Sequence, residues 1–150
     1  MLTEFLDKVV AHLESDDRFK GVTILHEEDR EIGDKIRASL QKSLGSFILV
    51  KFDSGESDSP DAPGPHVDDL RLQVVCFETP LTNRANHRLT ALQLAEIAAT
   101  KLHWPNHPAD KKLQELQTTF SKIRTGSEKS QIYWAALFET NLTLQPETQD

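Results

Sequence analysis

Apolar and polar residues alternate most cleanly over Gln131–Leu144. Ile132, Trp134, Ala136, Phe138, Leu142 and Leu144 fall on one side there, with Thr140 the only polar member. Tyr133, Ala135, Leu137, Glu139, Asn141 and Thr143 fall on the other, which turns polar toward its end. A two-residue period of this length is that of a pleated strand with one buried face. Val75-Cys76-Phe77-Glu78-Thr79 is a near-copy of Ala136-Leu137-Phe138-Glu139-Thr140. The matching phase predicts two strands lining the same side of one sheet.

The rest of the chain supplies helices to cover that sheet. Leu2, Phe5, Leu6, Val9 and Leu13 recur at helical spacing, with Glu4, Asp7, Lys8 and His12 assigned to the polar face. Gly21 opens a short strand, Val22–Leu25. Asp29 is placed to cap a second helix carrying Ile32, Ile36, Leu40 and Leu44, with Gly45 after its last turn. Ser46–Phe52 is apolar on both sides, as a central strand would be. Asp53–Pro65, with four acids, three prolines and two glycines, reads as a mobile acidic loop. Leu70–Thr79 is the next strand, and Leu81–Arg88 a polar connection. Thr90–Leu102 carries the strongest helical pattern, with Ala91, Leu94, Ala95, Ala98 and Leu102 on one face. His103–Pro108 reads as a rigid turn, Leu116–Arg124 as a weaker strand, 125–130 as a hairpin connection, and 145–150 as a frayed tail. Together these predict one α+β domain over residues 1–150, a mainly antiparallel or mixed sheet of four to five strands with helices packed on it.

A chain of 150 residues buries about 68–70% of its unfolded surface as a single domain, so no disulfide is required, and the single Cys76 has no partner in the chain. The first residues carry acids from the fourth position onward, which is unlike a secretory signal, and no apolar run approaches the roughly twenty residues that span a bilayer. The expected setting has no membrane partner. With 17 basic against 24 acidic residues the formal net charge is −7, a balance that repels phosphate backbones and argues against specific nucleic-acid binding.

Candidate chemistry is sparse. His103 and His107 have the spacing of two ligands on one helical face, but Pro105 breaks the helix that would align them. His66 with Asp68 and Asp69 could form a weak cation site or an acid/base pair, and His87 could join them in a pocket. The acids of His26-Glu27-Glu28-Asp29 fit a helix amino terminus. Cys76 sits in an apolar strand as an inert thiol. No glycine-rich phosphate loop, paired-cysteine zinc signature or nucleophile elbow occurs. The expectation is a protein without catalytic residues, cofactor or metal. The alternative is a small enzyme or ligand-binding domain built on His66 and Asp68.

The order of elements, with Thr90-Ala91-Leu92-Gln93-Leu94-Ala95, Ile123-Arg124 and the final Phe138-Glu139-Thr140, resembles the tail-terminator and tail-completion proteins of phages and prophages, in particular the Mu-like prophage tail family. The resemblance runs over roughly Leu2–Leu144. The acidic 53–65 loop and the His-Trp-Pro turn have no counterpart in that pattern. It implies a lambda-type tail-terminator fold and a structural role in the virion tail or, before assembly, in the host bacterial cytoplasm. It also implies a homo-oligomeric ring, commonly a hexamer, that caps the tail tube and meets the head connector. An adaptor of a contractile secretion or injection machine is the related alternative. An acidic balance would also suit a channel wall past which DNA slides.

Overall fold

A computed structural model of the chain describes residues 2–28, 46–56, 66–78, 89–128 and 131–143. Five strands form one mixed sheet: β1 (Thr23–His26), β2 (Ser46–Glu56), β3 (His66–Glu78), β4 (Thr119–Glu128) and β5 (Gln131–Thr143). Their spatial order is β1-β2-β3-β5-β4; β1 runs parallel to β2 and every other pairing is antiparallel. Three α-helices accompany it among the described residues: α1 (Leu2–Glu14), α2 (Ala91–Lys101) and α3 (Lys111–Leu116). The α+β class and the mixed five-stranded sheet expected from the sequence are therefore present. The helix expected over 29–44, most of the acidic loop (57–65), the 81–88 connection and the 145–150 tail lie outside the described residues.

One face of the sheet carries all three helices. Phe5, Leu6, Val9 and Leu13 of α1, the alanines and leucines of α2, and Leu113 and Leu116 of α3 share one core with Ile48, Val50, Leu72, Val74, Ala136 and Phe138. Helix α2 begins with a capping box: the Thr90 hydroxyl accepts from the Gln93 N–H, and the Gln93 side chain accepts from the Thr90 N–H. Its Ala91, Ala95 and Ala98 are fully buried, and small side chains let the helix axis approach β3 and β5 closely. On α1, His12 is buried rather than on the polar face. It follows Phe5 by seven residues and Val9 by three, so the helical period returns it to the apolar stripe.

The opposite face carries a second, smaller cluster of Val75, Ala135 and Leu137 with Phe77 and Tyr133 against it. Here the register corrects the sequence reading. Phe77 pairs with Tyr133, and Leu72 with Phe138. The two copies of the repeated motif are thus offset, and Phe77 and Phe138 occupy opposite faces. Phe47, Phe77, Tyr133 and Gly126 instead form one row across four strands. Phe47 and Phe77 stack with centroids 4.7 Å apart. A Cβ at Gly126 would run into the Tyr133 ring, so glycine is what lets the ring lie over β4.

Four boundaries differ from the sequence pattern. Strand β2 continues through Asp53 to Glu56, because a bulge at Asp53 re-aims that side chain toward Gln73 while the ladder resumes at Ser54. Its partner β3 correspondingly starts at His66, with a register shift between Val67 and Leu70. Leu116 belongs to α3, not to the following strand. Asp110 caps that helix through the N–H groups of Lys112 and Leu113, and Gln117 ends it in the left-handed conformation where glycine is the commoner choice. Finally, β4 runs to Glu128 where a hairpin connection was expected from 125.

The core makes a direct stability test. Phe138 is fully buried and meets Phe120 edge to face at 5.9 Å. Phe138→Ala is expected to lower the unfolding free energy by about 3–5 kcal/mol in a urea titration. Thr140 is buried, and its hydroxyl donates to the Leu116 carbonyl at 2.6 Å. Thr140→Val, which orphans that carbonyl, should cost about 1–3 kcal/mol. A Thr140→Val protein as stable as the original would mean that this bond contributes nothing to docking α3.

Candidate functional site: the groove beside the open edge strand

Strand β4 ends the described sheet, so one side of its backbone has no ladder partner among the described strands. Helix α2 lies over β3 and β5 and reaches β4 only marginally. Between them runs a groove of about 510 Å³ lined by Leu92, Glu96, Ala99 and Thr100 of α2, His103 and Asn106 of the following turn, and Phe120 and Ile123 of β4. The helical residues recur every three to four positions and form one stripe of the helix surface. Ile123 is 36% exposed.

The turn that lines one part of the groove is fastened by hydrogen bonds. Trp104–Asn106 forms a single 3-10 turn. The Trp104 N–H donates to the Thr118 carbonyl at 2.9 Å, and the Thr118 hydroxyl donates to the Leu102 carbonyl at 2.5 Å. The Phe120 N–H donates to His103 Nδ1 at 3.0 Å. A backbone N–H can only donate, so the neutral His103 ring carries its proton on Nε2. His107 Nε2 lies 2.9 Å from the Thr100 carbonyl. The two histidines noted in the sequence thus each bind backbone on different elements and serve to fasten the turn.

On the other face of the same strands, Gln73 is buried and bridges two charges. Its amide nitrogen donates to Asp53 at 2.6 Å, and its oxygen accepts from Arg124 at 2.9 Å. Arg124 is paired with Ala135 in the register while Gln73 is paired with Leu137. The arginine stem therefore crosses β5 and shields that apolar cluster. Asp53, Arg71, Lys122, Arg124 and Glu139 surround a small concavity there of about 130 Å³.

The alternative acid/base residues give no assembled site. His66 and Asp68 fall in β3, but their side chains lie outside the described residues, as does His87. No group of three or more His, Cys, Asp or Glu residues placed to hold a metal occurs among the described residues. No described helix is long and apolar enough to cross a membrane. Cys76 is fully buried, and burial pushes its thiol far up, which keeps it protonated and unreactive. Asp16, bound twice by the Arg18 guanidinium, is held down at about 2.

One titrating group was not singled out from the sequence. His12 Nε2 is buried without a hydrogen-bond partner among the described residues and lies 3.9 Å from Asp110 Oδ2. The other oxygen of that carboxylate, Oδ1, caps α3. Burial first, and then the Lys101 charge, lower the His12 pKa below 6.5, while Asp110 pulls the other way. The unfolded chain therefore takes up this proton first as the pH falls. The contribution is intact above pH 6.5 and is lost as the pH drops from there toward the lowered folded value. Melting temperatures should fall between about pH 7.5 and about pH 5.5, and His12→Leu should make that slope shallower. An unchanged slope in the variant would assign the effect to other histidines.

No family model matches the chain, and no curated protein matches it. Among solved structures, one crystal structure of a protein from Akkermansia muciniphila is similar at 14% identity and a TM-score of 0.31, covering 97% of this chain and 80% of that one. A second protein from Akkermansia muciniphila, solved without its transmembrane region, is similar at 15% identity and a TM-score of 0.32, covering 97% and 87%. Likeness this slight carries no argument about what this chain does.

Proposed function

We propose that the protein is a non-enzymatic structural component of a phage-type tail, of the terminator or completion kind. Copies assemble as a ring at the end of the tail tube and present a surface to the head connector. The observation that supports this best is the coincidence of a strand edge with no partner among the described strands, an apolar groove beside it, and exposed Ile123 in that groove. Unpaired strand backbone and uncovered apolar surface are features of protein contact. The order of elements in the sequence, which resembles the tail-terminator pattern, supplies the context. The groove's histidine is tied to backbone and its walls are mostly apolar, which favours contact over chemistry.

The test is reconstitution. Purified protein added to polymerising tail-tube subunits should give tubes of limited length with extra density at one end in negative-stain images. Tubes that grow without limit and carry no end density would reject the reading. A turnover activity abolished by His66→Ala or Asp68→Ala, with the fold intact, would favour the small-enzyme alternative instead.

A further inference from the structure

We propose that the groove between α2 and β4 takes an extended segment of a partner protein, which adds to the β4 edge as a further strand. The segment is apolar at alternate positions and carries one lysine or arginine to meet Glu96. This deepens the assembly reading above by naming what its contact surface holds, and rests on that reading only in taking the groove as a place of contact. The strand backbone specifies the form of the occupant. Every residue from Ser121 to Thr125 is exposed, and β4 has no neighbour on its outer side among the described strands. The outward N–H and C=O groups of such an edge are matched by water or by another extended backbone. A strand laid along it takes affinity from main-chain hydrogen bonds and specificity from every second side chain. Those side chains enter a groove of about 510 Å³, within the roughly 300–1,000 Å³ of ligand clefts.

The dimensions fit a short strand. Leu92 to Thr100 of α2 covers about 12 Å at roughly 1.5 Å per residue, the span of about four strand residues at roughly 3.3 Å each. The Phe120 N–H is already bound by His103, and the ladder shifts register before Lys122. The edge open to a partner therefore begins there and runs toward Ser127. Side-chain chemistry then separates the possible occupants. Leu92, Ala99, Phe120 and Ile123 give the groove apolar walls, and Glu96 is its one acid, with no lysine or arginine lining it. Glu96 has no ion-pair partner among the described residues. A cation arriving beside it over an apolar wall is attracted more strongly than in bulk water. The β4 strand of a second copy does not supply that cation. Paired edge to edge, it would bring Ile123 and Thr125 to the groove side, while its Lys122 and Arg124 stay on the other face with Asp53 and Glu139.

The probe is a displayed library of random segments of about nine residues, long enough to span the groove at roughly 3.3 Å each. Selection on the wild-type protein should enrich segments that are apolar at alternate positions, polar between them, and basic at one groove-facing position. A labelled peptide made to that consensus should bind saturably in fluorescence anisotropy. Glu96→Lys should weaken its binding about tenfold or more and, in a fresh selection, exchange the base for an acid. Ile123→Asp should weaken it about tenfold or more. N-methylation of alternate peptide amides should abolish it, since the main-chain bonds are lost. If Ile123→Asp fails to fold by circular dichroism, Ile123→Ser takes its place.

The proposal is overturned by a selection that enriches no alternating pattern, by an N-methylated peptide that binds like its parent, or by a Glu96→Lys protein that keeps the same preference. Wild-type dimers in sedimentation equilibrium that Ile123→Asp dissociates would give the groove to a second copy and overturn it as well. Protein that caps tail tubes but enriches no segment sinks this inference and leaves the assembly reading standing. Protein that binds the segment and caps no tube sinks the assembly reading alone.

Discussion

Everything in this fold depends on the register between β3 and β5, the two central antiparallel strands. Both are apolar on both faces over their middle parts, so alternation alone specifies their pairing weakly; a slip of one residue would exchange one apolar face for the other. Polar residues remove that degeneracy. Thr140 reaches the Leu116 carbonyl only from the helix-bearing face, and Gln73 reaches Asp53 and Arg124 only from the opposite one. Each such bond is worth about 0.5–1.5 kcal/mol net when made. Breaking one leaves a buried group unsatisfied at a cost of about 1–3 kcal/mol, and that asymmetry selects the register.

Once that register is set, the open surface follows. Leu72 and Val74 of β3 and Ala136 and Phe138 of β5 face the helices. The alanine stripe of α2 settles over β3 and β5, the strands it contacts most. Strand β4 is hydrogen-bonded to β5 but lies past the helix, so its apolar residues Phe120 and Ile123 meet the side of α2 rather than being roofed by it. The groove is thus a consequence of a short helix layer on a five-stranded sheet. Its geometry is fixed because the turn after α2 is fastened to β4 by the Trp104–Thr118 and Phe120–His103 bonds. A surface whose groups are already ordered loses less entropy when a partner docks.

How far the sequence could be read depends on whether a residue's role is set by near neighbours or distant ones. The buried face of α2 and the apolar side of β5 were legible because period and burial coincide over many consecutive residues. The strand ends were not. Asp53 resembles loop composition, yet a bulge and the distant Gln73 hold it in β2. Helix α3 is six residues long and ends on Gln117 rather than a glycine, so the only local signal was Asp110 ahead of Lys111. The repeated Phe-Glu-Thr motif suggested alignment of like with like, but cross-strand packing of Phe47, Phe77 and Tyr133 fixed a different offset. The groove could not be read at all, since it joins residues 92–106 to 120–123 through a pairing that no local pattern encodes.

The placement of charge shows the same separation of scales. In composition the acids merely outnumber the bases, which speaks to partners in general and to none in particular. In the folded chain, the cations of β4 fall on the face opposite the groove while the groove side of the same strand is apolar, so one short edge offers two kinds of contact at once. A partner that matched only the charge would leave Phe120 and Ile123 in water, and one that matched only the apolar side would strand Lys122 beside an uncharged surface. Either half-match forfeits part of the available free energy, since desolvated charges without partners are costly and uncovered apolar area contributes nothing.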